Sequence, residues 1–86
     1  MQTEDSIKVT IRFFAALKDL VDTGEIRGKA TFARMYGIHQ PNMRRLEKDP
    51  SRNYLPSAWL MYLVRDWGFI AHWLLTGEGK KRSVKP

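Results

Sequence analysis

Apolar residues recur along this chain at helical spacing. Between residues 7 and 22, Ile7, Ile11, Phe14, Leu17 and Val21 fall three or four apart, and Phe13 and Leu20 widen the stripe. Such a stripe is buried by one face of a helix. Ile7, Val9, Ile11 and Phe13 also alternate as a strand would, but an isolated strand has no partner here and helix is the preferred reading. Ser6 or Asp5 is placed to cap it. Thr23-Gly24 stops it, and residues 25–28 form a connection. A second and third helix are expected at about Lys29–Tyr36 and Gln40–Lys48. Residues 49–53, Asp-Pro-Ser-Arg-Asn, read as a loop by composition. A fourth helix follows from Pro56 or Ser57 to Trp67, with Trp59, Leu60, Leu63, Val64 and Trp67 as its inward stripe. Gly68 breaks it. A short fifth helix, about Ile70 to Thr76, ends at Gly77. The pattern predicts an all-α bundle of about five helices. Its expected core is Phe14, Leu17, Phe32, Ile38, Met43, Leu46, Leu60, Val64, Trp67 and Leu74.

The second and third helices have the spacing of a helix-turn-helix. Phe32 and Met35 are expected inward at i and i+3. Ala33 is small where the two helices cross, and a larger side chain would push them apart. Gly37 ends the first of the pair, where a left-handed backbone costs any other residue energy. Ile38 closes the turn. His39 stands at the cap position of the next helix, although it is not a favoured capping residue. Pro41 is tolerated in the first turn, whose N–H groups lack helical partners anyway. Met43 and Leu46 then point inward, leaving Gln40, Pro41, Arg44 and Arg45 largely outward. Such a unit places a helix in the major groove of DNA.

Charge adds weight to that reading. The net charge of +6 is unevenly spread. Residues 1–25 carry three Lys/Arg against five Asp/Glu, whereas residues 26–52 carry seven against two. Residues 53–79 carry one against two, and residues 80–86 carry four with no acid. A polyanionic partner explains this clustering better than a solvated face does.

Length and composition set the remaining bounds. Eighty-six residues suit one domain, expected over residues 1–79, with 80–86 as a basic, disordered tail. The chain has no cysteine, which excludes disulfides and thiolate metal sites. No apolar run approaches the roughly 20 residues of a membrane span. The acidic start MQTEDSIK lacks a signal-peptide core, so a cytoplasmic location is the default. Gly77-Glu78-Gly79 is better read as a helix C-cap than as a phosphate loop, because no strand precedes it and the P-loop lysine is absent. His39 and His72 are far apart in sequence and have no dense Asp/Glu company, so no metal is expected. Nothing assembles a nucleophile, a base and an oxyanion donor, so no enzyme and no cofactor are expected. Tyr54, Trp59, Tyr62, Trp67, Phe69 and Trp73 could stack nucleobases, but all except Tyr62 follow the helical core stripe, and packing explains most of them.

In these residues the chain resembles the phage-repressor/Cro type of helix-turn-helix domain over about Ile26 to Gly79. Two motifs carry the resemblance. One is Phe32-Ala33, Gly37-Ile38, Met43, Leu46-Glu47. The other is Trp73-Leu74-Leu75-Thr76-Gly77-Glu78-Gly79, which looks like the end of the family's fifth helix. The resemblance implies a lambda-repressor-like bundle whose third helix reads bases. It implies base contacts at Gln40, Pro41 and Arg45. It implies a phosphate contact at Lys29, and a second phosphate-binding region near Arg44, Arg52 and Asn53. This chain departs from the pattern at Pro41, which stands where the family has a side chain able to hydrogen-bond, and in a longer first helix and loop. Family members often dimerise through the last helix, where Phe69, Ile70 and Trp73 offer apolar area.

The expected function is that of a sequence-specific double-stranded DNA-binding protein, a transcriptional regulator or mobile-element repressor. The alternative is a protein-interaction adaptor or antitoxin-like subunit using the same fold. Single-strand or RNA binding fits less well, because the basic residues cluster on the helix pair rather than among the aromatics.

Overall fold

The first helix begins before its apolar stripe does. The computed structural model describes residues 3–83, and in it α1 spans Glu4–Asp22. Its cap is Thr3, not Ser6 or Asp5: the Thr3 hydroxyl oxygen accepts a hydrogen bond from the Ser6 N–H at 3.1 Å. Glu4 and Asp5 thereby stand in the first turn, where the helix dipole favours negative charge. The buried face is centred on Phe13, Phe14, Ala16, Leu17 and Leu20, while Ile11 is 54% exposed. The apolar arc was broad enough for either centre, and the helices packed against α1 select this one. Thr10, the buried polar residue among them, donates its hydroxyl to the Ser6 carbonyl.

Four shorter helices follow: α2 Lys29–Met35, α3 Gln40–Lys48, α4 Ser57–Trp67 and α5 Ala71–Thr76. Together the five helices form a compact all-α bundle in which α1 touches α2, α3 and α5, α2 touches α3, and α4 touches α5. Phe13 is its central ring. It packs edge-on against Phe14 and Phe32, with ring centroids 5.0 and 5.9 Å away, and lies 5.8 Å from Trp59. Fully burying one such side chain contributes about 1.5–3 kcal/mol.

Of the expected core, Phe14, Leu17, Phe32, Met43, Leu46 and Leu74 are buried, and Ile38, Leu60 and Trp67 are partly buried against them. Val64 is not in the core: it is 37% exposed, because α4 turns only Leu63 fully inward. Met35 is also turned out, at 53% exposure. Tyr36 takes the inward place expected of Met35, one turn beyond Phe32, stacking on Tyr62 with centroids 4.1 Å apart and planes 6° from parallel.

The tail departs most from expectation. Beyond α5 the chain folds back instead of trailing away from Lys80. The Ile70 N–H donates to the Lys81 carbonyl (3.1 Å) and the Ser83 N–H to the Gly68 carbonyl (2.8 Å), with a single antiparallel bridge between Phe69 and Arg82. Arg82 donates Nε to the Trp67 carbonyl at 2.7 Å and both terminal nitrogens to the Glu25 carboxylate at 2.6 Å each. Lys81 pairs with Asp19 at 2.9 Å. The folded unit thus extends past residue 79 to at least Ser83; residues 84–86 lie outside the described residues. No helix among the described residues is long and apolar enough to cross a membrane.

Among the glycines with a left-handed backbone, Gly77 and Gly37 bear most on the packing of the helices. Gly77 ends α5 at φ 79°, and a Cβ there would also meet Arg12 Nη1 at 3.1 Å. That guanidinium is held in place, donating to the Leu74 and Leu75 carbonyls at 2.9 Å each. The other, Gly37, shapes the turn between α2 and α3.

Candidate nucleic-acid interface

The turn from α2 to α3 occupies residues 36–39. Gly37 adopts φ 65°, a left-handed conformation that side chains other than glycine rarely take. The following Ile38 N–H returns to the Ala33 carbonyl at 2.8 Å, and Ala33 is fully buried. The pair is therefore locked by one short hydrogen bond and one small residue. His39 occupies the cap position but makes no side-chain capping bond. Behind the pair, the Tyr36 hydroxyl donates to Asp66 at 2.7 Å and accepts from Trp67 Nε1 at 3.0 Å, tying the end of α2 to α4. Hydrogen bonds from Arg65 and Tyr36 hold the Asp66 carboxyl down to about 2. Burial and the Asp66 bond push the Tyr36 phenol above its ordinary range, so it remains a neutral donor.

The outward face of α3 follows from its inward one. Met43 and Leu46 are buried. At about 100° per residue, the direction opposite them falls on Pro41 and Lys48, two turns apart, with Arg44 and Arg45 to either side. All four are exposed. Gln40 lies at the α2 edge instead. It is half-buried and, with Lys29, Arg44 and Glu47, lines a shallow groove of about 200 Å³ between the helices. On the other flank, Asn42, Arg45, Asn53, Tyr54 and Trp59 line a second groove of about 290 Å³. Of the residues expected at the base edges, Pro41 and Arg45 share the outward side of the leading two turns of α3, and Gln40 stands at its α2 edge.

The residues expected at phosphates differ in how free they are. Lys29 forms an ion pair with Glu47 across the α2–α3 groove. Arg52 pairs with Asp49 at 3.3 Å, and Asn53 Nδ2 donates to the Asp49 carbonyl at 3.2 Å. Among the described residues, Arg44 alone of the expected four has neither ion pair nor hydrogen bond. Arg45 bonds only the neutral Asn42, at 3.2 Å. On and just ahead of the helix pair, three further exposed cations have no such partner among the described residues: Arg27 ahead of α2, Arg34 in its last turn and Lys48 in the last turn of α3. Sequence reasoning passed over them, yet a signal existed. None of the three has an acidic residue three or four positions away, whereas Arg52 has Asp49.

The remaining cations are largely spent within the fold. Lys81 and Arg82 face Asp19 and Glu25, Lys18 faces Asp22, and Arg65 faces Asp66. Lys81 and Arg82 therefore neutralise acids in and just after the last turn of α1; Lys8 and Lys80 stay exposed without such a partner, and most of the unpaired positive charge among the described residues gathers on and just ahead of α2 and α3. The apolar surface expected near α5 is reduced as well. Phe69 is 2% exposed, Ile70 and Trp73 are half-buried, and Lys81 covers the Trp73 ring at 5.3 Å. Among the described residues no three His, Asp or Glu side chains gather as metal ligands would. Compared with protein-family models, with curated proteins and with solved structures, the chain finds no match.

Proposed function

We propose that α2 and α3 work as a helix-turn-helix, and that the protein binds double-stranded DNA sequence-specifically, as a transcriptional regulator or mobile-element repressor. One observation carries this reading. Arg34, Arg44, Arg45 and Lys48 on α2 and α3, with Arg27 just ahead of them, are exposed and have no carboxylate partner among the described residues, while Lys18, Arg65, Lys81 and Arg82 elsewhere are each paired with an acid. Unpaired cations on the outer side of a helix suit the phosphates that line a groove. Gln40 and Arg45 are the base readers, since glutamine pairs with adenine N6 and N7 and arginine with guanine O6 and N7. Arg44 and Lys48 position the helix on phosphates, joined by Lys29 when it exchanges Glu47 for a phosphate. One recognition helix covers too few base pairs to define a site, so two copies on half-sites about 34 Å apart are expected.

The test is a gel shift on random duplex DNA at low and moderate salt, followed by selection of bound sequences. Duplex binding with a steep salt dependence is expected. Gln40→Ala and Arg45→Ala should each relax the selected motif at one position. Absence of duplex binding at low salt would refute the proposal and leave the adaptor reading.

A further inference from the structure

We infer that Pro41 reads the C5-methyl group of a pyrimidine, thymine in ordinary DNA, at the centre of the recognition surface; the inference rests on the DNA-binding reading above. Pro41 sits in the first turn of α3, exposed, on the side opposite Met43 and Leu46. Its neighbours on that face are Arg44 and Arg45, with Gln40 at the α2 edge, all hydrogen-bonding side chains. Pro41 has none. It also lacks a backbone N–H, and its ring is rigid. The outward side of α3 therefore presents an apolar projection at its leading end with polar groups beside it.

The major groove offers that projection only one matching feature. Base edges there are donors and acceptors, except for the thymine methyl. Placed against a polar edge, the ring would strip water from a group and give no hydrogen bond in return. Placed against a methyl, both partners lose apolar surface to water. The discrimination is then positive for thymine and negative for cytosine, adenine and guanine at that step. Removing a single buried methyl group is worth about 0.8 kcal/mol, close to fourfold in affinity.

A purely structural role for Pro41 predicts something different. Proline also stabilises a helix start, and losing that support would weaken every duplex alike. It would leave the preference between thymine and uracil untouched. The two bases differ only in the methyl group, so their affinity ratio separates the roles.

The experiment takes the selected duplex and replaces each thymine in turn by deoxyuridine, measuring affinity by fluorescence anisotropy on the full chain. One thymine per half-site should weaken binding about fourfold on substitution, and the others should change little. At that position a 5-methylcytosine·guanine pair should bind more tightly than cytosine·guanine, which separates recognition of the methyl from recognition of the whole thymine. In Pro41→Ser the uracil ratio at that one position should fall to about one. The uracil series on the unaltered protein stands even if the variant folds poorly. A selected motif with no methyl-sensitive position, or sensitivity that persists in Pro41→Ser, would overturn the inference and leave DNA binding in place. Failure to bind any duplex at low salt would overturn both.

Discussion

Replacing Arg82 by alanine should destabilise the fold although the residue lies only a few positions from the chain end. Its side chain is 23% exposed and donates three hydrogen bonds, two to Glu25 and one to the Trp67 carbonyl. Hydrogen bonds to charged groups contribute about 1.5–3 kcal/mol when well buried, whereas exposed ion pairs contribute about 0–1 kcal/mol. This pair lies between those limits, and a loss of about 2 kcal/mol for the whole contact set is a reasonable magnitude. In a domain of this size about 1 kcal/mol moves the midpoint by 4–8 °C, so Arg82→Ala should melt about 8–16 °C lower. Far-UV circular dichroism on heating is the assay. Deletion after Gly79 should cost at least as much, because Lys81 and the two backbone bonds go with it. Glu25→Gln combined with Arg82→Ala should cost less than the two single losses added. If Arg82→Ala and the deletion both melt within about 2 °C of the parent, the folded-back end contributes nothing and the reasoning fails.

Other outcomes follow from the same geometry. Glu47→Gln should free Lys29 and remove a negative charge beside the expected phosphates, tightening duplex binding at low salt and steepening the salt slope by up to about one; an unchanged slope would show that Lys29 does not reach the backbone. The low pKa of Asp66 makes its ionised form stabilising above the unfolded value near 4, and that contribution is lost as pH falls through about 2. Asp66→Asn should therefore flatten the fall in melting temperature between about pH 4 and 2, and an unaltered acid limb would contradict the assignment. Phe32→Ala should cost about 3–5 kcal/mol by denaturant titration, whereas Met35→Ser should stay within about 0.5 kcal/mol of the parent; comparable losses would mean that the inward face of α2 is misplaced. Gly77→Ala should lower the melting point through its positive φ and its approach to Arg12, and no change would show that this helix end relaxes freely.

Local chemistry explains what could be read from the chain. The bounds of α3 agree with expectation because a proline in its first turn and the Asp-Pro that follows it are short-range signals. The stops at Gly68 and Gly77 are equally local. Met35 and Tyr36 are different. Both lie within one turn of Phe32, so periodicity could not say which of them faces the core. Tyr36 wins through Tyr62 and Trp67, which lie far along the chain. The end of the chain misled for a related reason: a run of lysine and arginine reads as solvated until Asp19 and Glu25 are seen opposite it. At the candidate interface, the outward placement of Pro41, Arg44 and Arg45 followed from the inward spacing of Met43 and Leu46, whereas Gln40, also expected outward, is half-buried against α2. The pairing of Lys29 with Glu47, eighteen residues apart, was not legible, because it needs the crossing of two helices.

The grip of Arg12 on the carbonyls of Leu74 and Leu75 has a consequence for how the chain matures. The residues it joins are 62 and 63 positions apart. At about 5–20 residues per second, synthesis separates them by roughly 3–12 s. During that interval α1 emerges without α5, one of the helices packed against it. Any transcript or nonsense mutation that ends translation before α5 should yield chains with that side of α1 uncovered, prone to aggregation and degradation. The gene would then behave as all-or-none toward late truncations: losing α5 would cost the α2–α3 pair its folded support as well, although the pair itself had been fully translated.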